Sequence, residues 1–204
     1  MNKTDAKNLL RRRQELLQTH NRLNMNIDDA ETWIKEDYED TRNDISVVLQ
    51  KMDRKLLQYV KKSTVGKWLL QIKGITVDMA AALITHFDVT GKECAAQFLN
   101  FAGLNDFNED HDKEMSLLMR KIRNSFRDTK DGYYINISKE KYTEHIKNNV
   151  NPITAKNRAD GHMMRLFIAH LFEEMYREEH DGKLPKRHTD FTKAVIPPEV
   201  PYTK

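Results

Sequence analysis

Cysteine occurs once in the 204 residues, as Cys94. A single thiol excludes an internal disulfide framework and a four-cysteine zinc site, and it fits a reducing compartment. Glycine and proline are scarce, at 7 and 5. So few loop formers favour helix over sheet. No run reaches the roughly 18 apolar residues of a membrane span, and the opening MNKTDAKNLLRRRQ has no apolar signal core. The expectation is a cytoplasmic chain that does not associate with membranes. A net charge of +3 is too small to indicate nucleic acid by itself.

What is present is a globular, charge-rich mixture: 39% hydrophobic and 32% charged residues. The length allows one moderate domain, or a small domain with an extended arm. Charge is distributed unevenly. Asp28 to Asp44 holds eight acids and two bases, Lys35 and Arg42. Arg54 to Val77 holds six bases and no acid: Arg54, Lys55, Lys61, Lys62, Lys67 and Lys73. A second basic cluster contains Arg120, Lys121, Arg123, Arg127 and Lys130. Such runs are commonly solvated helix faces, so their neighbours decide their meaning.

Periodicity predicts helices nearly throughout. Leu9, Leu16 and Leu23 repeat by seven within a first helix over 5–24. Asp28 or Asp29 is placed to cap a second helix, expected over 28–62. Ile34, Tyr38, Thr41, Ile45, Val48, Met52, Leu56 and Tyr59 follow at spacings of three or four, as in a coiled-coil seam. Such a helix would be about 50 Å long, too long to bury its stripe against the first helix alone. A homodimer through 28–62 is therefore expected. Further helices are expected within 65–104, over 113–128, after the Asp131-Gly132 turn, and from Asn151-Pro152 to Glu179, with Asp181-Gly182 closing the last. The fold class is all-α: a helical hairpin or coiled-coil arm (1–62), a compact helical domain (63–185) and an extended, Pro-rich tail (186–204).

The informative segment runs from Trp68 to Ile84. A helix is expected to end at Ile72, and Gly74 permits the positive φ of a tight reversal. Ile75 can plug the hairpin, and small Ala80 permits close helix approach. The second helix then begins with free N–H groups and a positive dipole end, a natural phosphate site that Lys73 can assist. The pattern resembles the helix-hairpin-helix consensus, apolar-x-Gly-apolar-Gly-x-x-x-Ala. Thr76 stands where the second glycine would be, and its hydroxyl could cap the second helix.

Phe98-Leu99-Asn100-Phe101-Ala102-Gly103-Leu104 follows, then the basic helix Leu118 to Phe126, then Arg158 to Pro185 with Arg165-Leu166-Phe167-Ile168-Ala169-His170. This order resembles the C-terminal domain of RNA-guided insertion-sequence transposases that join a RuvC-like DEDD domain to a helix-hairpin-helix domain. It is more similar still to the shortened transposase-like proteins of phages and integrative elements. The resemblance covers 65 to about 200 and implies DNA binding and a mobile-element origin. Residues 1–60 have no strand pattern for a DEDD site. The Ser-Gly context of the transposase nucleophile is also absent, that region reading Asn105 to Asp112. The resemblance thus implies no strand-transfer activity, no catalytic residue and no cofactor.

Other groupings carry less. Asn108-Glu109-Asp110-His111-Asp112 reads as a hydrated acidic loop rather than a metal site. His162 and His170 lie eight apart, unlike the i, i+4 spacing of a zinc helix, and are expected to pack or cap. Trp33 and Trp68 are expected in core or seam. The expectation is a non-catalytic DNA-binding protein contacting the backbone through Lys61, Lys62, Lys67, Lys73, Gly74, Ile75, Thr76, Arg120, Lys121, Arg123 and Arg127. The alternative is a protein-interaction module that acts through the coiled coil and its acidic face without DNA.

Overall fold

The computed structural model describes residues 1–27, 31–92, 94–104 and 112–185, except the side chains of Thr32 and Trp33. The expected caps Asp28 and Asp29, the acidic loop Asn108 to His111, the expected packing of Trp33 and the Pro-rich tail lie outside that description. Eight helices form the described chain: α1 (Lys3–Ile27), α2 (Thr32–Val60), α3 (Thr64–Gln71), α4 (Val77–His86), α5 (Ala96–Phe101), α6 (Lys113–Asp128), α7 (Tyr133–Lys147) and α8 (Pro152–Glu179). The fold is all-α, and no strand occurs among the described residues. None of their helices is long and apolar enough to cross a membrane.

The chain divides into two compact units. The first is Met1–Lys67 with Thr76–His86; the second is Trp68–Ile75 with the described chain from Phe87 onward. These units do not follow the expected break at residue 62. The physical reason is α4: Ala80, Ala81 and Leu83 are fully buried, and α4 packs on α1 and α2.

In the first unit α1 and α2 pack along each other. Its seam is rotated from the stripe read in the sequence. Leu49, Leu56 and Val60 are buried, His20 Nε2 lies 3.0 Å from Ser46 Oγ, and Arg13 Nε donates to Asp53 at 2.5 Å. On α1 the matching residues are Ala6, Arg13, His20 and Ile27, seven apart, with the leucine heptad only half-buried beside them. On α2 the seam is Ser46, Leu49, Asp53, Leu56 and Val60. Val48 from the expected stripe remains 40% exposed, beside Val47 at 48%. Two polar pairs inside the seam hid it from a hydrophobic count.

The second unit is built on α8. Asn151 caps it by accepting from the Ile153 N–H at 3.0 Å, with Pro152 in the first turn. Met164, Phe167, Ile168 and Leu171 form its buried stripe. Phe167 meets Phe126 of α6 at 5.3 Å and Tyr134 of α7 at 5.2 Å, and Trp68 stacks on it at 6.5 Å. Trp68 is therefore a core side chain, as expected. Asp112 caps α6 by accepting from the Met115 N–H at 2.9 Å. Met115, Met119, Ile122 and Phe126 carry its buried face. His170 is buried, and its Nδ1 lies 2.9 Å from the Tyr134 hydroxyl.

Candidate nucleic-acid interface

The hairpin turn is formed as the glycine pattern requires. The Ile75 N–H donates to the Ile72 carbonyl at 3.0 Å, and Gly74 has φ +94°. The reversal is seated on the end of α6. A Cβ at Gly74 would lie 2.9 Å from Phe126 Cδ1, and the Gly74 carbonyl accepts from Ser125 Oγ at 2.6 Å. Glycine is needed here for both backbone conformation and contact. Ile75 is buried.

The start of α4 differs from the expected anion site. The Ala80 N–H donates to the Thr76 carbonyl at 2.9 Å, which makes Thr76 the residue that caps the helix. Its hydroxyl does not cap by accepting an N–H. It donates to Asp78 Oδ1 at 2.5 Å. Asp78 lies in the first turn and 3.8 Å from Arg13. A carboxylate of the protein itself already meets the positive helix end, which leaves less there for a phosphate.

The expected basic residues separate into groups. Lys61, Lys62 and Lys67 are exposed in the first unit. Lys73 belongs to the second unit and meets Asp131 at 3.2 Å, both side chains being largely exposed. The Asn136 amide, and after it Lys73, hold the Asp131 carboxyl below its ordinary pKa. Arg120 and Lys121 are exposed on α6, whereas Arg123 is half-buried and its Nε–H has no partner. Arg127 is not a surface cation. It clamps Asp160, with Nε donating at 2.8 Å and a terminal nitrogen closer still. Ser138 Oγ donates to the other carboxylate oxygen of Asp160 at 3.0 Å. A buried carboxylate requires such partners, so the Arg127 charge is largely balanced within the protein.

Two lysines that the sequence reading passed over extend the basic surface of this unit. Lys139 donates to the Lys130 carbonyl at 3.0 Å, next to Asp131 and its partner Lys73. Lys139 also lines a groove of about 700 Å³ that Lys156 lines from the other side. The groove floor includes the Arg127–Asp160 pair and Ser138; Tyr142, Pro152 and Ile153 contribute its apolar walls. Helical spacing sets this arrangement. Lys139 and Tyr142 lie three apart on α7, and Ile153 and Lys156 lie three apart on α8, so each pair shares a face. Buried Ala155 and Ala159 on α8 are small enough for close packing of α7. Lys130 lies in the loop after α6, Lys139 on α7 and Lys156 on α8, so they form no run. The one usable sequence sign was the apolar–lysine spacing at 139/142 and 153/156.

The site can hold an anion between amines and a flat apolar group between the walls. No group of three or more His, Cys, Asp or Glu side chains suited to a metal ion occurs among the described residues. No protein-family model matches the chain, and neither a curated protein nor a solved structure matches it.

Proposed function

We propose that the protein is a non-catalytic DNA-binding protein of a phage or mobile element, active in the cytoplasm, and that it holds the DNA backbone with the basic surface of the second unit. The observation that carries this reading is that Lys73, paired with Asp131, lies beside Lys139, which is bonded to the neighbouring Lys130 carbonyl, and that Lys139 and Lys156 line one groove. Amines spread along a surface suit the regular phosphates of a backbone and read little sequence. Exposed Arg120 and Lys121 add to the same charge. The order of the Gly74 turn, Ala102-Gly103-Leu104 and basic α6 supports the likeness to the shortened transposase-like proteins. The turn contributes by placing Lys73, while Asp78 at the start of α4 takes the position first expected for phosphate.

Duplex binding measured by fluorescence anisotropy tests this reading. With about four phosphates neutralised, affinity should fall about a hundredfold over a fourfold rise in salt. Joint replacement Lys139→Glu and Lys156→Glu should weaken binding on every sequence and flatten the salt slope by about two. Absence of binding at low salt, or indifference to these charges, counts against the proposal.

The apolar flank of α2 supports the further reading that two copies pair through this helix. Ile45, Val48 and Met52 follow at spacings of three and four, and Val48 is 40% exposed. A second copy would cover this stripe in a coiled-coil seam. Light scattering should then give the mass of a dimer, and Val48→Glu should give that of one chain. A one-chain mass for the unaltered protein at micromolar concentration would remove this part. The same exposed flank favours the protein-interaction alternative; a partner captured on it after nuclease treatment would support that alternative over DNA.

A further inference from the structure

We infer that the groove between α7 and the first turns of α8 takes an unstacked base, so that single-stranded DNA binds in preference to duplex. The inference rests on the backbone-binding reading above and adds the form of DNA. Three observations carry it. First, each wall pairs an apolar side chain with an amine: Tyr142 with Lys139 on α7, and Ile153 with Lys156 on α8. Tyr142 is 37% exposed and Ile153 74% exposed. Contacts to duplex phosphates alone have no use for such apolar surface. A strand whose bases are free can stack them on it while its phosphates meet the lysines, the combination found in sequence-tolerant single-strand sites.

Second, the volume of about 700 Å³ suits one or two nucleotides. It falls within the range of clefts that enclose small ligands, whereas a duplex about 20 Å across could only lie over it. Third, the floor is polar without excess charge. Asp160 accepts from Arg127 and Ser138, and a guanidinium has N–H groups beyond those used on one carboxylate. The floor can therefore hydrogen-bond a base edge, and Lys139 and Lys156 keep their charge for phosphate.

The test uses the full chain with a labelled oligo-dT of about 12 nucleotides, an abasic strand of equal length and a duplex of equal length. The dT strand should bind about tenfold more tightly than the other two. Tyr142→Ala should abolish that margin and leave the duplex affinity within about twofold. Equal binding of all three probes, with Tyr142→Ala changing none and the Lys139→Glu, Lys156→Glu variant weakening every one, overturns the base pocket and leaves backbone binding standing. Failure of every probe to bind at low salt overturns both.

Discussion

Replacing Arg127 with alanine should lower the unfolding free energy by about 3 kcal/mol. The size follows from which partner is deeper. The Asp160 side chain is 5% exposed and that of Arg127 30%. Without the guanidinium, the carboxylate keeps the Ser138 hydroxyl as its hydrogen-bond partner. Removing one member of a buried pair leaves a charge that the interior solvates poorly, which costs far more than the pair itself contributes. The partial exposure of Arg127 places the cost at the low end of the usual range. Asp160→Asn should cost less, because it removes the charge and retains an acceptor for Ser138. Arg120→Ala, on the exposed side of the same helix, should change stability by less than about 0.5 kcal/mol. Urea midpoints at constant slope measure all three. Equal effects of the Arg127 and Arg120 substitutions would show that the clamp does not form in solution.

Acid should destabilise the fold through His170. Burial pulls its pKa down from 6.5 to about 4. The sign follows from proton uptake. Below pH 6.5 the unfolded imidazole binds a proton, while the folded one stays neutral until about pH 4. The unfolded state therefore binds more protons across that window. The contribution is intact above pH 6.5, and about 3 kcal/mol is lost as pH falls to 4, with no further loss from this group below that. The neutral ring fits its surroundings. The hydroxyl of Tyr134, whose pKa burial raises well above 10, lies at hydrogen-bonding distance from Nδ1, 2.9 Å. Nε2 has no partner. His170→Gln keeps a group that can pair with the Tyr134 hydroxyl in either direction and removes the titration. Denaturant midpoints across the window should show the variant less dependent on pH than the parent, whatever its stability at neutrality. Parallel pH profiles would refute a buried neutral ring. His162, also lowered by burial, acts with the same sign in both proteins and cancels in the comparison.

Helix positions were legible because each depends on short-range pattern. The expected 113–128 is α6 itself, Asn151-Pro152 opens α8, and Asp181-Gly182 ends it with φ of +51° and +84°. Gly74 was legible for the same reason, since few residues tolerate its backbone conformation. The seam of α2 was displaced by one position because His20–Ser46 and Arg13–Asp53 are polar, and a hydrophobic repeat slides past them to Ile45 and Met52. Arg127 was misplaced for a different reason. Its partner Asp160 lies 33 residues away, and nothing near Arg127 distinguishes a clamped guanidinium from one facing solvent. The same distance hid the groove, whose lysines meet only when α7 and α8 pack.

The interleaving of the two units has a consequence during synthesis. The first unit needs Thr76–His86, yet the chain must pass through Trp68–Ile75, which belongs to the second, before reaching that segment. When the chain has been made as far as residue 62, α1 and α2 are present without α4, the helix that packs on both of them. Compact units commonly fold as units during synthesis; this one is complete only once residue 86 has been made. Until then the face of α1 and α2 that α4 covers is open to solvent, and such transiently uncovered apolar surface is what chaperones bind.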